Sequence, residues 1–168
     1  MDRLWAGWRS AYVEAAADGG LSASHEEGSI FTRILASGRD DAETYIVHRG
    51  ELVFVILNGY PYTSGHMLVM PYREMASLED LSVDEAAELW ATVTDGVVAI
   101  KAAYRPDGIN VGLNLGAAAG AGVTGHLHVH VLPRWNADSN FMTSVAEARV
   151  LPEDLATSWR KLRDAWPR

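Results

Sequence analysis

The sequence predicts an α+β fold in which one long helix packs on an antiparallel sheet of about five strands. Three observations support this fold class. Short apolar stretches with tight connections fill residues 44–71, a long segment of helical periodicity follows, and two further apolar stretches come after it. Because strands precede and follow a single helix instead of alternating with helices, the order favours α+β over a parallel sheet.

The first three predicted strands lie in a meander. They are Tyr45–Val47, Leu52–Leu57 and Met67–Met70, and they are separated by Arg49-Gly50-Glu51 and by Asn58-Gly59 with Pro61. Short connections of this kind join antiparallel strands. A fourth strand is predicted at Ile109–Leu115, and a loop rich in glycine and alanine, Gly116–Gly125, leads from it to the fifth.

The clearest predicted helix runs from Val83 to Tyr104. Ser82 and Glu85 form a capping-box pattern at its start, and Pro106 with Gly108 follows its end. Steps of three and four connect a set of apolar residues that should cover the sheet, namely Val83, Ala86, Trp90, Val93, Val97, Ile100 and Tyr104.

Length and composition predict one domain, residues 1–168. The chain has 168 residues, of which 48% are hydrophobic. Aromatic residues spaced by three and four in Leu4–Val13 suit one face of a helix, so 1–28 is expected to be a helical extension. A strand and a helix are expected in 136–168.

Charge and residue usage exclude several classes of function. A net charge of −8 argues against binding the backbone of a nucleic acid. The absence of cysteine excludes disulfides and thiol catalysis. No apolar run reaches the roughly 18 residues that span a bilayer, and the charged start Met1-Asp2-Arg3 does not resemble a signal peptide. We therefore expect no membrane partner and a cytoplasmic location.

The most informative segment is His126-Leu127-His128-Val129-His130-Val131-Leu132, which holds three of the six histidines. On a strand, alternate side chains share a face, so the imidazoles project together about 6.6 Å apart. Three interpretations compete. The histidines are structural, they bind zinc with His66 as a further ligand, or one of them attacks a phosphate ester while its neighbours hold charge and protons.

The segment resembles the signature of the histidine triad, or HIT, nucleotide hydrolases and transferases. Two further stretches agree in order: Ser64-Gly65-His66-Met67-Leu68-Val69-Met70-Pro71 is similar to a family strand, and Ile30-Phe31-Thr32-Arg33-Ile34 to a helix that covers the base pocket. Within the family, Asn58-Gly-Tyr-Pro-Tyr, Asn110-Val-Gly-Leu-Asn-Leu-Gly, Pro133-Arg134-Trp135 and Asn140-Phe141-Met142 resemble the actinobacterial branch related to diadenosine tetraphosphate phosphorylases.

The resemblance spans roughly Ser29 to Trp135, so it implies a HIT-like core at 29–135 and a covalent mechanism. His128 would attack the α-phosphorus of a nucleotide and form a nucleotidyl-imidazole. His126 and His130 would flank the phosphoryl oxygens, and His66 would help to fix ring orientation and tautomer. An acceptor, orthophosphate or water, would then release the nucleotide.

The resemblance also implies a set of nucleotide contacts. Asn58 would bind the ribose, although an asparagine before Gly59 is equally typical of a turn. Asn114 would face the phosphates, and the glycine-rich loop would cradle them through Gly120, Gly122 and Thr124. The base would lie among Ile30, Phe31, Ile34 and Ile56, which are alternatively plain core residues. Trp135 would border the second nucleotide or a dimer interface, and Arg134 would pair with a phosphate or be solvated.

The chain departs from the family pattern at two places. Gly122 and Val123 stand where the family commonly carries Gln and Ser or Thr, and Thr124 is the nearest hydroxyl. Ser29 and Thr32 stand where many bacterial members carry a zinc-binding cysteine pair, and Met75 replaces a further zinc-binding histidine. We therefore expect no metal and no cofactor.

The expected function is cleavage of diadenosine tetraphosphate by a homodimer, with orthophosphate as co-substrate and ADP and ATP as products. Two alternatives stay open. One is a hydrolase of dinucleoside polyphosphates or nucleoside phosphoramidates that gives AMP, and the other is a catalytically silent module that binds purine nucleotides.

Overall fold

The computed structural model describes residues 28–138 and 152–167. The helix expected within 1–28, the Asn140-Phe141-Met142 segment and most of the segment expected to hold a C-terminal strand lie outside the described residues. Four helices and five strands are described in these two ranges: α1 (Ile30–Ala36), α2 (Asp41–Thr44), β1 (Ile46–Arg49), β2 (Val53–Leu57), β3 (Met67–Pro71), α3 (Val83–Tyr104), β4 (Gly108–Leu113), β5 (Val129–Arg134) and α4 (Leu155–Asp164).

The five strands form one antiparallel sheet in the order β1-β2-β3-β5-β4, which confirms the predicted fold class. The last of the described strands, β5, is inserted between β3 and β4 and therefore lies inside the sheet. His130 on β5 is opposite Leu68 of β3 and Gly112 of β4. The histidine segment is therefore held from both sides.

The two faces of the sheet carry separate apolar clusters because side chains alternate along each strand. One face packs against α3 and α4 and includes Val55, Val69 and Val131 with Leu89 and Leu162. The other face packs beneath α1 and includes Phe54, Ile56, Leu68 and Met70 with Phe31.

The long helix has the predicted bounds and the predicted start. Ser82 Oγ accepts from the backbone N–H of Glu85, and the Glu85 carboxylate accepts from the N–H of Ser82. The predicted buried face is wrong for Val83 and Trp90, which are 85% and 46% exposed. Val93 and Ile100 of the predicted face are buried, but Leu89, Gly96 and Ala99 are buried with them, so the contact face is rotated from the predicted one.

The fifth strand starts later than predicted, at Val129 and not at His126. The backbone N–H of Leu127 donates to the carbonyl of Met75, 2.6 Å away, and does not enter the ladder. His126 and Leu127 are thus fixed by the loop that follows β3.

The edge strands differ in how they are covered. The α4 helix lies along β1, where Trp159 Nε1 donates to the carbonyl of Ile46 at 2.8 Å and Arg163 Nη1 donates to that of Val47 at 2.7 Å. The β4 strand lies at the opposite edge, and Val111 on it is 43% exposed. None of the helices in the described ranges is long and apolar enough to cross a lipid bilayer.

Candidate active site

His128 and His130 lie on the α1 side of the sheet. Val129 and Val131 alternate with them and belong to the cluster beneath α3, so the two rings point the other way. Their ring centroids are 5.0 Å apart, and the Phe31 ring of α1 contacts His126 and His128 edge-on at 5.5 and 5.7 Å. All three histidines therefore lie together beneath α1.

The tautomer of His128 is fixed by a backbone carbonyl. His128 Nδ1 lies 2.7 Å from the carbonyl oxygen of His126, which only accepts, so Nδ1 carries the proton and donates it. In the neutral ring, Nε2 then keeps its lone pair. A buried imidazole with an oriented lone pair is equipped to attack an electrophilic phosphorus.

Both ring nitrogens of His126 are bonded inside the protein. Nε2 donates to the carbonyl of Pro71 at 2.8 Å, so Nδ1 of the neutral ring accepts from Ser29 Oγ at 2.7 Å. The phosphoryl contact expected of His126 therefore has no uncommitted ring nitrogen to make it. A phosphoryl contact stays a prediction for His126, while its backbone carbonyl accepts the hydrogen bond that sets the tautomer of His128.

A second series of hydrogen bonds fixes the tautomer of His130. We call this series, and the one from Ser29 through His126 to His128, the two relays of the site. The backbone N–H of Tyr62 donates to His66 Nδ1 at 3.1 Å, so Nε2 of a neutral His66 carries the proton. That atom lies 2.9 Å from His130 Nδ1 and donates to it. His130 Nε2 must then carry a proton of its own, and this buried atom has no hydrogen-bond partner among the described residues. The relay leaves His130 as an N–H donor with an open position.

The triad is neutral at physiological pH because it is buried. Burial lowers the pKa of His128, and the hydrogen bond to the His126 carbonyl opposes this only in part. Burial likewise lowers the pKa of His126, while the Pro71 carbonyl raises it. Burial, with a further contribution from the charge of His128, lowers the pKa of His130 to about 4. Neutral rings are the forms that the two relays require.

The residues expected around the base are divided between helix and sheet. Phe31 is buried against the triad, Ile34 is partly buried, and Ile56 lies in the sheet beneath them. Ile30 is 45% exposed on the same helix. Contact with a base stays a prediction for all four, since each apolar position except Ile30 is also part of the core.

The two asparagines occupy different positions. Asn58 Oδ1 accepts from the backbone N–H of Tyr60 at 3.0 Å, which is the turn interpretation, and its amide nitrogen lies 3.4 Å from His66 Nδ1. Asn114 follows β4 directly. Leu113 pairs with Val129, the residue after His128, so Asn114 lies just beyond the last pair of the β4–β5 ladder.

The loop before the triad offers a row of backbone donors. Its first part closes into a 3-10 turn at Ala117–Ala119, and Gly120 has a positive φ of 93°. Within the described residues, the backbone N–H groups of 122–125, which include Gly122 and Thr124, donate to no protein acceptor. Successive unpaired N–H groups beside a reactive side chain are suited to an anion.

Trp135 lies on the α3 side of the sheet, and Arg134, at the end of β5, is paired with other residues. The Trp135 ring contacts Tyr104 of α3 edge-on at 6.1 Å, in keeping with its alternation with Val131 and Pro133. Arg134 pairs with both carboxylate oxygens of Asp138, at 2.6 and 2.8 Å, and donates to Asn110. The structure thus does not bring either residue to the histidines.

Ser29 and Thr32, at the positions that resemble a zinc-binding pair, form hydrogen bonds instead. Their hydroxyls lie 3.1 Å apart, and Thr32 Oγ1 donates to Glu74 Oε2 at 2.7 Å. Among the described residues, no three His, Cys, Asp or Glu side chains are grouped as metal ligands. Sequence reasoning missed Glu74. It also missed the roles of the Pro71 carbonyl and the Tyr62 N–H, since backbone groups carry no residue-specific signal.

Comparisons with known proteins agree with this geometry. A family model described as the HIT domain matches residues 39–137. The AP-4-A phosphorylase of Mycobacterium tuberculosis (strain ATCC 25618 / H37Rv) is 43% identical over 169 residues, covering 100% of this chain and 86% of that protein. The asymmetrical bis(5'-nucleosyl)-tetraphosphatase of Schizosaccharomyces pombe is 33% identical over 93 residues, 55% of this chain and 50% of that one.

Solved structures extend the likeness to the fold. The crystal structure of a zinc-bound histidine triad family protein from Mycobacterium smegmatis matches with a TM-score of 0.66 and 30% identity, covering 81% of this chain and 91% of that one. Sequence, fold and the arrangement of the histidines lead to the same assignment. The chain belongs to the histidine triad (HIT) family.

Proposed function

We propose that this protein is an enzyme that cleaves dinucleoside polyphosphates through a nucleotidyl-His128 intermediate, with diadenosine tetraphosphate as substrate and orthophosphate as acceptor. The observation that carries the proposal is the hydrogen bond from His128 Nδ1 to the His126 carbonyl, 2.7 Å long. It directs the lone pair of a buried, neutral imidazole away from the backbone. The names of the two relatives support this substrate class.

In the first step, His128 Nε2 attacks an α-phosphorus of diadenosine tetraphosphate. The new bond joins nitrogen to phosphorus, and the bond from that phosphorus to the bridging oxygen breaks. ATP leaves with the electron pair, while AMP stays on His128. The Nε2–H of His130 is the donor available for the departing oxygen, and its pKa of about 4 suits hydrogen bonding better than storage of a proton.

In the second step, an oxygen of orthophosphate attacks the same phosphorus and the nitrogen–phosphorus bond breaks. ADP is released and His128 is restored, so the sum is diadenosine tetraphosphate plus orthophosphate to ADP plus ATP. The unpaired N–H groups of 122–125 are suited to hold phosphate oxygens in both steps. Water as acceptor would give AMP in place of ADP.

The test is product analysis with and without orthophosphate. The pure protein is incubated with diadenosine tetraphosphate, and the nucleotides are separated by chromatography. Phosphate-dependent ADP together with ATP supports the proposal, whereas AMP formed equally without phosphate would replace it by hydrolysis. Absence of product in both conditions would refute dinucleotide cleavage and leave nucleoside phosphoramidates or simple nucleotide binding.

We also propose a symmetric homodimer formed through β4. Within the described residues, α4 covers the β1 edge while no element covers the outer edge of β4, which exposes Val111. An uncovered strand edge with apolar side chains favours pairing with another strand. A second copy of β4 would extend the sheet across the twofold axis.

Light scattering after size exclusion tests this assembly. The wild-type protein should have twice the mass of one chain, and Val111→Lys should shift it towards the monomer. Val83→Lys is the matched control, because Val83 is equally apolar and 85% exposed but lies on α3. A monomeric wild-type protein would refute the proposal.

A further inference from the structure

Glu74 links α1 to the triad. It follows β3 by three residues, and its Oε2 accepts from the backbone N–H of Ser29 at 2.8 Å and from Thr32 Oγ1 at 2.7 Å. These bonds and the hydrogen bond from the Thr32 N–H to Ser29 Oγ, 3.2 Å long, fix the N-terminus of α1. The backbone N–H of Ser29 keeps the pKa of Glu74 below its usual range, so the carboxylate is ionised at neutral pH.

A continuous series of hydrogen bonds links Glu74 to His128. His126 Nδ1 accepts the hydroxyl hydrogen of Ser29 at 2.7 Å, and Glu74 holds Ser29 in place for this bond by accepting from its backbone N–H while it takes the hydroxyl hydrogen of Thr32. A donor at Nδ1 keeps the proton of His126 on Nε2, where it is donated to the Pro71 carbonyl. These two hydrogen bonds fix the orientation of the His126 ring. They also fix the position of the His126 backbone carbonyl, which accepts from His128 Nδ1.

We propose that Glu74 is a positioning residue for the reaction. It acts through Ser29, Thr32 and His126 to hold the tautomer of His128, and it keeps α1 packed over the triad. The proposal rests on the proposed function for its kinetic consequence but not for its structural one. Without the carboxylate, the Thr32 hydroxyl and the Ser29 N–H lose their acceptor, and the Ser29 hydroxyl is free to turn away from His126.

The alternative is that Glu74 only caps a short helix at the surface. A cap would lower the stability of α1 when it is removed, but it would not change the protonation pattern of the histidine rings. The nitrogen-15 chemical shifts of imidazole report which ring nitrogen carries the proton, so they separate the two roles. They are measured on the ligand-free protein and need no turnover.

The experiment compares Glu74→Ala, Glu74→Gln and Glu43→Ala with the wild type. Glu43 is the matched control, since it too accepts from a backbone N–H at the start of a short helix, that of Asp40 at 3.3 Å, without reaching the triad. Glutamine retains an oxygen that can accept from both Ser29 and Thr32, so it should rescue the alanine defect.

Glu74→Ala should mix the tautomers of His126 and His128 and lower kcat with diadenosine tetraphosphate about tenfold, the effect of losing one charge-assisted hydrogen bond. KM should change less than kcat, Glu74→Gln should retain wild-type shifts and most of kcat, and Glu43→Ala should match the wild type. Unchanged imidazole shifts in folded Glu74→Ala would overturn the proposal. Wild-type protein without turnover would overturn the proposed function alone, because the shifts would still test Glu74.

Discussion

Replacing Gly65 with alanine should destabilise the protein through two separable effects. Gly65 has a φ of +79°, and a Cβ there would lie 2.6 Å from Tyr104 Cε2. A left-handed conformation costs an alanine about 1 to 2 kcal/mol, and overpacking against a fixed ring costs about 1 to 3 kcal/mol. Because alanine lowers the entropy of the unfolded chain, it offsets up to about 1 kcal/mol of this loss of stability. The net loss should be about 2 to 4 kcal/mol.

Two other glycines separate the contributions. Gly38 has a φ of +68° but nothing within 4 Å of its Cβ position, so Gly38→Ala carries the backbone cost alone, about 1 kcal/mol after the entropic gain. Gly59 has neither a positive φ nor a close neighbour, so Gly59→Ala should change stability by less than about 1 kcal/mol.

Urea denaturation of the three variants at neutral pH measures these differences. The free energy of unfolding should decrease in the order Gly59→Ala, Gly38→Ala, Gly65→Ala, and Gly65→Ala should cost less in a Tyr104→Ala background than in the wild type. A Gly65→Ala variant no less stable than Gly38→Ala would refute the close approach of the loop to Tyr104. Since Gly65 precedes His66, a displaced loop should also lower turnover.

Three further predictions concern charge and chemistry. His128→Ala should abolish turnover but retain nucleotide binding, measured by calorimetry with AMP; loss of binding would assign His128 to recognition. Because burial lowers the pKa of His130 to about 4, the unfolded chain takes up a proton near pH 6.5 that the folded chain takes up only near pH 4. The free energy of unfolding should therefore be greatest above pH 6.5 and fall as the pH is lowered from 6.5 to 4, with a smaller fall in a His130→Asn variant; equal slopes would contradict the neutral relay. Glu85→Ala removes a bidentate pair with Arg73 and a helix cap, so it should cost about 2 kcal/mol in urea denaturation without loss of kcat, whereas Glu79→Ala, an exposed control, should cost less than about 0.5 kcal/mol.

The long helix shows both the reach and the limit of sequence patterns. Its start follows from a local motif, the Ser82 capping box, so its bounds were predictable. Its buried face was not, because apolar residues occur all around it and the sheet accepts Leu89 while leaving Trp90 exposed. Periodicity does not specify which of two overlapping stripes meets a partner.

The histidines show a similar division. Alternation along the strand indicates that His128 and His130 share a face, which the structure confirms. The tautomers depend on the Tyr62 N–H and on the Pro71 and His126 carbonyls, which only the folded chain brings to the rings. Backbone donors and acceptors are identical at every residue, so no sequence pattern could have revealed these relays.

The covalent intermediate is the central claim, and rapid quenching tests it most directly. The protein is mixed with diadenosine tetraphosphate in the absence of orthophosphate, denatured within one turnover, digested and analysed by mass spectrometry. We predict AMP on the peptide that contains His128, and its release as ADP when orthophosphate is added before quenching. Turnover without any nucleotidyl-histidine, accompanied by inversion at the α-phosphorus, would mean a single direct displacement and would contradict the role assigned to His128 Nε2.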